Sequence, residues 1–209
     1  MTRVAITGVG CVSPLGLSAA ATLHALQAGA SGIRAMPTAL SRHAPTLGPV
    51  PLDATTTHPP ATPAHTHTGT RQSRPRYCHL AVLAAQEAWI HAQLHLPHFQ
   101  GSHSVGVNIG CSVGGLGDIE AASVLLHQQK YTKISPYFIP NVLCNMAAAH
   151  VAMALDVQGP CDSHSTACAS GAHSLVGAFQ WVRDGVCDVV VAGGTESCVT
   201  DVAISGFAR

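Results

Sequence analysis

The stretch that most constrains the fold is Cys187-Asp188-Val189-Val190-Val191-Ala192. It is a β-branched run without polar alternation, which a strand covered on both faces can bury. Ahead of it, residues 170–184 carry the spacing of an amphipathic helix. The same unit recurs upstream. Val4-Ala5-Ile6-Thr7-Gly8-Val9-Gly10 reads as a short buried strand ending in glycines, and Ser18 as the N-cap of a helix over 19–27 that Gly29 stops. Helical spacing returns over 80–94, where Leu80, Leu83, Ala84 and Ala88 share a face, and 104–110 reads as a second strand closed by Gly114-Gly115. A helix over 117–129 follows. Pro136 and Pro140 bracket Tyr137-Phe138-Ile139, too stiff for a helix interior, ahead of a small-residue helix over 142–155 that Gly159-Pro160 ends. Residues 161–166 supply a third strand and 187–192 a fourth, fully buried one. Strands alternating with helices imply an α/β fold on a mainly parallel sheet.

Composition narrows what such a fold does. Ten basic and ten acidic side chains give zero formal net charge, so the chain presents no long-range field to a polyanion and nucleic acid is not expected as a partner. With 47% apolar and 10% charged residues it lies far from disordered chains, except over 36–70, where Pro, Thr, His and Ala predominate and a low-complexity surface loop or disordered segment is expected. No apolar run approaches the roughly 18 to 20 residues of a membrane span. Met1-Thr2-Arg3 leads directly into the first strand pattern without the apolar core of a signal peptide. The eight cysteines include no C-x-x-C pair and read as reduced thiols. The expectation is a soluble, unsecreted protein of the cytoplasm or an organelle matrix.

Two candidate ligand motifs fail on inspection. Gly8-x-Gly10 invites a dinucleotide reading, but the third glycine would fall at Ser13 and the acidic residue due about 20 positions on is missing. His58, His65 and His67 stand in a polar tract without a carboxylate or thiolate cluster, so no metal is expected. The strongest signal is Ser165-Thr166-Ala167-Cys168-Ala169-Ser170-Gly171-Ala172-His173, which sets a cysteine between a strand and a helix. Peptide dipoles and unpaired N–H groups at a helix N-terminus favour a thiolate over a thiol and can also hold an oxyanion. Small residues at 167, 169 and 171 leave room for a substrate. Taken alone, the same cysteine also reads as a small buried hydrophobe.

The segment resembles the active-site stretch of the β-ketoacyl-[acyl-carrier-protein] synthases, elongating condensing enzymes of the thiolase superfamily. Further blocks match in family order: Val4 to Gly10 with Ser13-Pro14-Leu15-Gly16, Gly114-Gly115-Leu116-Gly117, Lys133-Ile134-Ser135-Pro136-Tyr137-Phe138-Ile139-Pro140, Asn145-Met146-Ala147-Ala148, Gly159-Pro160, Asp188 through Glu196, and Gly206-Phe207. The match is nearly continuous over 101–209 and fails over 36–70. The resemblance implies a thiolase-like layered α/β fold, mainly parallel with helices on both faces, of which residues 1–209 are an incomplete N-terminal half. It implies that Cys168 takes an acyl group from an acyl carrier protein as a thioester, before decarboxylative condensation with malonyl-carrier protein. The two histidines and the lysine that assist condensation belong to a C-terminal half, and His164 and His173 are not their substitutes.

By the same comparison Val113, Phe138 and Phe207 line the acyl tunnel, Phe138 from across a homodimer interface. Arg71, Arg74 and Arg76 fall where the family meets its carrier protein. Each of these positions also has an ordinary reading, as core for the three apolar residues and as a solvated helix entrance for the arginines. No cofactor is implied, since the carrier protein brings its own phosphopantetheine. The rival readings are a coenzyme A-dependent relative, a partner subunit kept for dimerisation, and a catalytically incomplete fragment. In the last case the apolar faces of 4–10 and 170–184 lack part of their cover.

Overall fold

The computed structural model describes residues 3–35, 46–48, 50, 74–94 and 96–208. The low-complexity stretch expected over 36–70 therefore lies outside the described residues, apart from 46–48 and 50. In chain order the elements are α1 (Ala19–Gln27), β1 (Arg34–Ala35), β2 (Thr46–Leu47), α2 (Arg76–His91), α3 (Leu96–Phe99), β3 (Val105–Gly110), α4 (Leu116–His127), α5 (Phe138–Val142), α6 (Met146–Leu155), β4 (Cys161–Asp162), α7 (Ser170–Arg183), β5 (Val189–Gly194) and α8 (Asp201–Phe207). The helix expected at 19–27 forms as read: Ser18 Oγ accepts from the Ala21 N–H at 3.1 Å, and Gly29 takes φ +68° just past the end.

The principal sheet is parallel in the order β4-β3-β5, with β3 in register against β5 from Val105↔Val189 to Gly110↔Gly194. Every residue of β3 is buried. Helix α7 covers one face of the sheet, and α6 with α2 covers the other. Tyr77, Ala81, Ala85 and Trp89 of α2 and Ala147, Ala148, Val151 and Leu155 of α6 close over Val105, Val107 and Ile109 as one core. The alanines let the two helices approach closely while the branched residues fill the space beneath them.

Four expectations are corrected. Residues 4–10 form no strand. Their backbone turns to side chains of α2 instead, with the Val9 N–H donating to His91 Nδ1 at 3.1 Å and the Cys11 N–H to Glu87 Oε2 at 2.8 Å. Gly8 and Gly10 press on the α2 backbone, while Ile6 and Val9 remain 84% and 50% exposed. The fourth strand is shifted to Val189–Gly194 and is half-buried rather than fully buried, because the observed strand order places it at an edge.

Only Cys161–Asp162 of the third strand joins the ladder. Beyond it Ser163 Oγ takes over, donating to the Ile109 carbonyl at 2.7 Å. Finally, the helix expected at 142–155 is divided. Phe138–Val142 forms a separate turn in which Pro140 falls among the first-turn positions whose N–H has no helical partner. A break at 143–145 precedes α6, and Tyr77 Oη donates to the Leu143 carbonyl there at 2.7 Å. The exposed Leu175, Val176 and Phe179 leave an apolar strip along α7.

Candidate active site

Parallel sheets place ligands at the carboxyl ends of their strands, and here those ends meet the start of α7. The approach is close because three glycines remove the intervening side chains. A β-carbon on Gly110 would collide with the Ser170 carbonyl, and one on Gly194 would lie 2.9 Å from the Gly171 Cα. The first turn of α7 is thereby seated directly on β3 and β5.

Ala167–Ala169 form a 3₁₀ turn that runs into α7. Ala167 has φ +52°, a left-handed conformation that costs a non-glycine residue about 1–2 kcal/mol. Ser170 braces it. Its side chain, 4% exposed, accepts from the Thr166 N–H at 2.9 Å and donates to the Ala167 carbonyl at 2.6 Å. Thr166 Oγ1 pairs with His173 Nδ1 at 2.8 Å across the same turn. Cys168, in the middle of this braced turn, is exposed.

The other thiols are in different surroundings. Burial pushes Cys78 up to about 11 and Cys111 up to about 12, the latter with help from the Glu196 carboxylate. Cys161, Cys187 and Cys198 are pushed up as well, first by desolvation and then by the neighbouring carboxylates of Asp162, Asp188 and Glu196.

The two histidines near the turn are engaged locally. His164 Nδ1 meets Oδ1 of the fully buried Asn108 at 3.1 Å beneath Gly177, and the His164 and His173 rings stand edge to face, 6.3 Å apart. Val113 and Phe207 come together in one shallow cavity of about 260 Å³, completed by Leu116, Cys198, Ala203 and Gly206. Phe138 opens α5 and is not among the residues lining this cavity. Arg74 and Arg76 are exposed beside the entrance to α2, and Arg76 donates to the Val50 carbonyl at 2.8 Å. Arg71 lies outside the described residues.

Sequence reasoning missed Glu196, whose Oε2 gathers the N–H groups of Ser112 and Val113 and the Ser112 hydroxyl. The only local signal was an acid closing an otherwise apolar strand block. Among the described residues no group of three or more His, Cys, Asp and Glu is placed to hold a metal ion, and no helix is long and apolar enough to cross a membrane.

An exposed cysteine on a braced turn at a helix N-terminus, above the carboxyl edge of a parallel sheet, is an arrangement that suits nucleophilic cysteine chemistry. The chain belongs to the beta-ketoacyl synthase family, matching "Beta-ketoacyl synthase, N-terminal domain" over residues 1–209. It is 32% identical over 215 residues to the 3-oxoacyl-[acyl-carrier-protein] synthase 2 of Coxiella burnetii, covering 99% of this chain and 48% of that protein. It is 41% identical over 129 residues to the mitochondrial 3-oxoacyl-[acyl-carrier-protein] synthase of Arabidopsis thaliana, covering 62% of this chain and 28% of that one. The crystal structure of a beta-ketoacyl synthase from Burkholderia phymatum STM815 superimposes with a TM-score of 0.83 at 27% identity, over 100% of this chain and 50% of that chain. The expected thiolase-like α/β fold is borne out. The chain spans about half the length of such relatives.

Proposed function

We propose that this chain is the nucleophile-bearing half of a β-ketoacyl-[acyl-carrier-protein] synthase of fatty acid biosynthesis. The observation that carries the reading is Cys168, exposed in the braced turn at the start of α7. The names of its relatives support the substrate class. In the first half-reaction the Cys168 sulfur attacks the thioester carbonyl of an acyl-carrier protein. A new carbon–sulfur bond forms, the bond to pantetheine breaks, and the pantetheine thiol leaves with the proton that Cys168 gave up. In the second, malonyl-carrier protein loses carbon dioxide, its carbanion attacks the acyl carbon, and the Cys168 sulfur is the leaving group. By resemblance, the histidines and lysine that steady the enolate oxygen belong to the C-terminal half. A homodimer, and a reducing cytoplasm or organelle matrix, complete the proposal.

The Val113 and Phe207 cavity is the acyl site in this reading, with Phe138 reaching the tunnel from the second protomer. Val113→Phe is expected to slow loading of long acyl donors roughly 5- to 150-fold relative to short ones, the range that overpacking costs of about 1–3 kcal/mol imply. Loading rates across a series of acyl lengths measure it, and an unchanged length profile removes Val113 from the tunnel.

The arginines supply the carrier-protein contact. Arg74→Glu with Arg76→Glu is expected to weaken carrier-protein binding by roughly 3- to 10-fold at low salt, with the difference fading as salt screens exposed charges. Reaction with a small pantetheine thioester should be spared. Equal loss with both donors would place the arginines in folding instead. Comparing acyl-carrier protein with acyl-coenzyme A as the loading donor tests the function itself. Exclusive use of the coenzyme A donor would assign the chain to the coenzyme A-dependent relatives.

A further inference from the structure

A half-buried carboxylate at the ends of two parallel strands needs its lone pairs taken up, and the groups that take them show what it holds in place. Glu196 follows β5 by two residues and faces the loop that leaves β3. Its Oε2 accepts from Ser112 Oγ at 2.7 Å, the Val113 N–H at 3.0 Å and the Ser112 N–H at 3.2 Å, while its Oε1 accepts from the Ser197 N–H at 3.1 Å. Cys111 Sγ adds a longer contact to Oε2 at 3.9 Å, so four of the five donors belong to three consecutive residues of one loop, 85 to 83 positions away in sequence.

The same Ser112 is tied on its other side. Its carbonyl accepts from Ser165 Oγ at 3.3 Å and from Cys144 Sγ at 3.7 Å. Ser165 stands three residues before Cys168, and Val113 lines the cavity with Phe207. The Ser112–Val113 segment therefore links the cavity wall to the chain entering the nucleophile's turn, and Glu196 is its anchor on the sheet. On the opposite side the loop rests on the backbone of Asn141 and Val142, against Gly115 and Gly114.

We propose that Glu196 is a positioning residue for acyl-chain selectivity: through Ser112 it fixes the Val113 wall of the cavity relative to the Cys168 turn. The inference rests on the reading of Cys168 as the acyl-accepting thiol and of this cavity as the acyl site. It assigns Glu196 no contact with the reacting atoms. A carboxylate that only stabilised the fold would, when removed, lower loading of every donor alike. One that sets the wall alters the ratio between long and short donors, because a displaced Val113 obstructs a long chain and leaves a two- or four-carbon group unaffected.

The test uses the full-length protein and measures acyl transfer to Cys168 by mass spectrometry from butyryl and palmitoyl thioesters, with thermal unfolding alongside. Glu196→Ala is expected to lower the palmitoyl-to-butyryl loading ratio about tenfold, the scale on which apolar pockets discriminate chain length. Glu196→Gln keeps one acceptor oxygen and should restore part of the ratio. Adding Ser112→Ala to Glu196→Ala should lower it little further, as expected for residues acting through one link. If Glu196→Ala does not fold, Glu196→Gln and Ser112→Ala give the same readout. An unchanged ratio in the folded variants, or equal loss with both donors, overturns the positioning role. Failure of the unmutated protein to load either donor overturns instead the reading on which it rests.

Discussion

Replacing Cys168 by serine is expected to reduce acyl loading more than about a thousandfold, the scale of losing a nucleophile, while changing stability by no more than about 0.5 kcal/mol. The side chain is exposed and serine nearly matches its shape, so packing is spared. The chemistry is not. A thiol is intrinsically far more nucleophilic than a hydroxyl, which ionises too weakly to attack a thioester unaided. Serine nucleophiles need a base in hydrogen-bond reach. Among the described residues no side chain hydrogen-bonds to Cys168, and the two nearest imidazoles in sequence, His164 and His173, are paired through Nδ1 with Asn108 and Thr166. Loading assayed by intact mass, with unfolding monitored in parallel, checks both halves. A serine variant that loads at a measurable fraction of the original rate would show that the acyl group is carried elsewhere.

Gly110→Ala should produce the largest loss of stability, about 3 kcal/mol or more, which lowers the melting temperature by roughly 6–12 °C in a domain of this size. The added methyl would run into the Ser170 carbonyl and lie 2.9 Å from the Gly171 nitrogen. Both obstacles are backbone, with no flexible end to yield. Relief requires α7 to lift from β3, which also carries away the turn holding Cys168, so loading should fall with stability. Gly193→Ala is the matched control. One residue from Gly194 on the neighbouring strand, its β-carbon would meet nothing within 4 Å, and its effect should stay within about 1 kcal/mol. Thermal unfolding of the two variants decides the point, and similar melting temperatures would contradict the close seating of α7.

How legible the fold was depended on how local its determinants were. The N-cap at Ser18, the stop at Gly29 and the amphipathic spacing of α7 act within a few residues, and these elements appear where they were read. The status of 4–10 as a strand depends on a neighbour to pair with, which its own β-branched residues cannot reveal; α2 supplies Glu87 and His91 instead. The break between α5 and α6 is satisfied by Tyr77, 66 positions earlier. At the site, the strand-turn-helix setting of Cys168 was readable from small residues and spacing. The left-handed Ala167 was not, because alanine gives no sign of that conformation and Ser170 imposes it. Val113 and Phe207 were paired only through family resemblance. Leu116, Cys198 and Ala203 around them, and the Glu196 clamp, depend on contacts between strand ends that no local pattern reports.

The central claim is that Cys168 carries the acyl group, and site mapping tests it most directly. The full-length protein is incubated with an isotopically labelled acyl-carrier protein, digested, and searched peptide by peptide for the thioester adduct. The account predicts one labelled peptide, containing Cys168, while Cys78 and Cys111 stay unmodified because burial keeps their thiols protonated. A label found instead on Cys11 or Cys198, or no thioester on any cysteine, would contradict it.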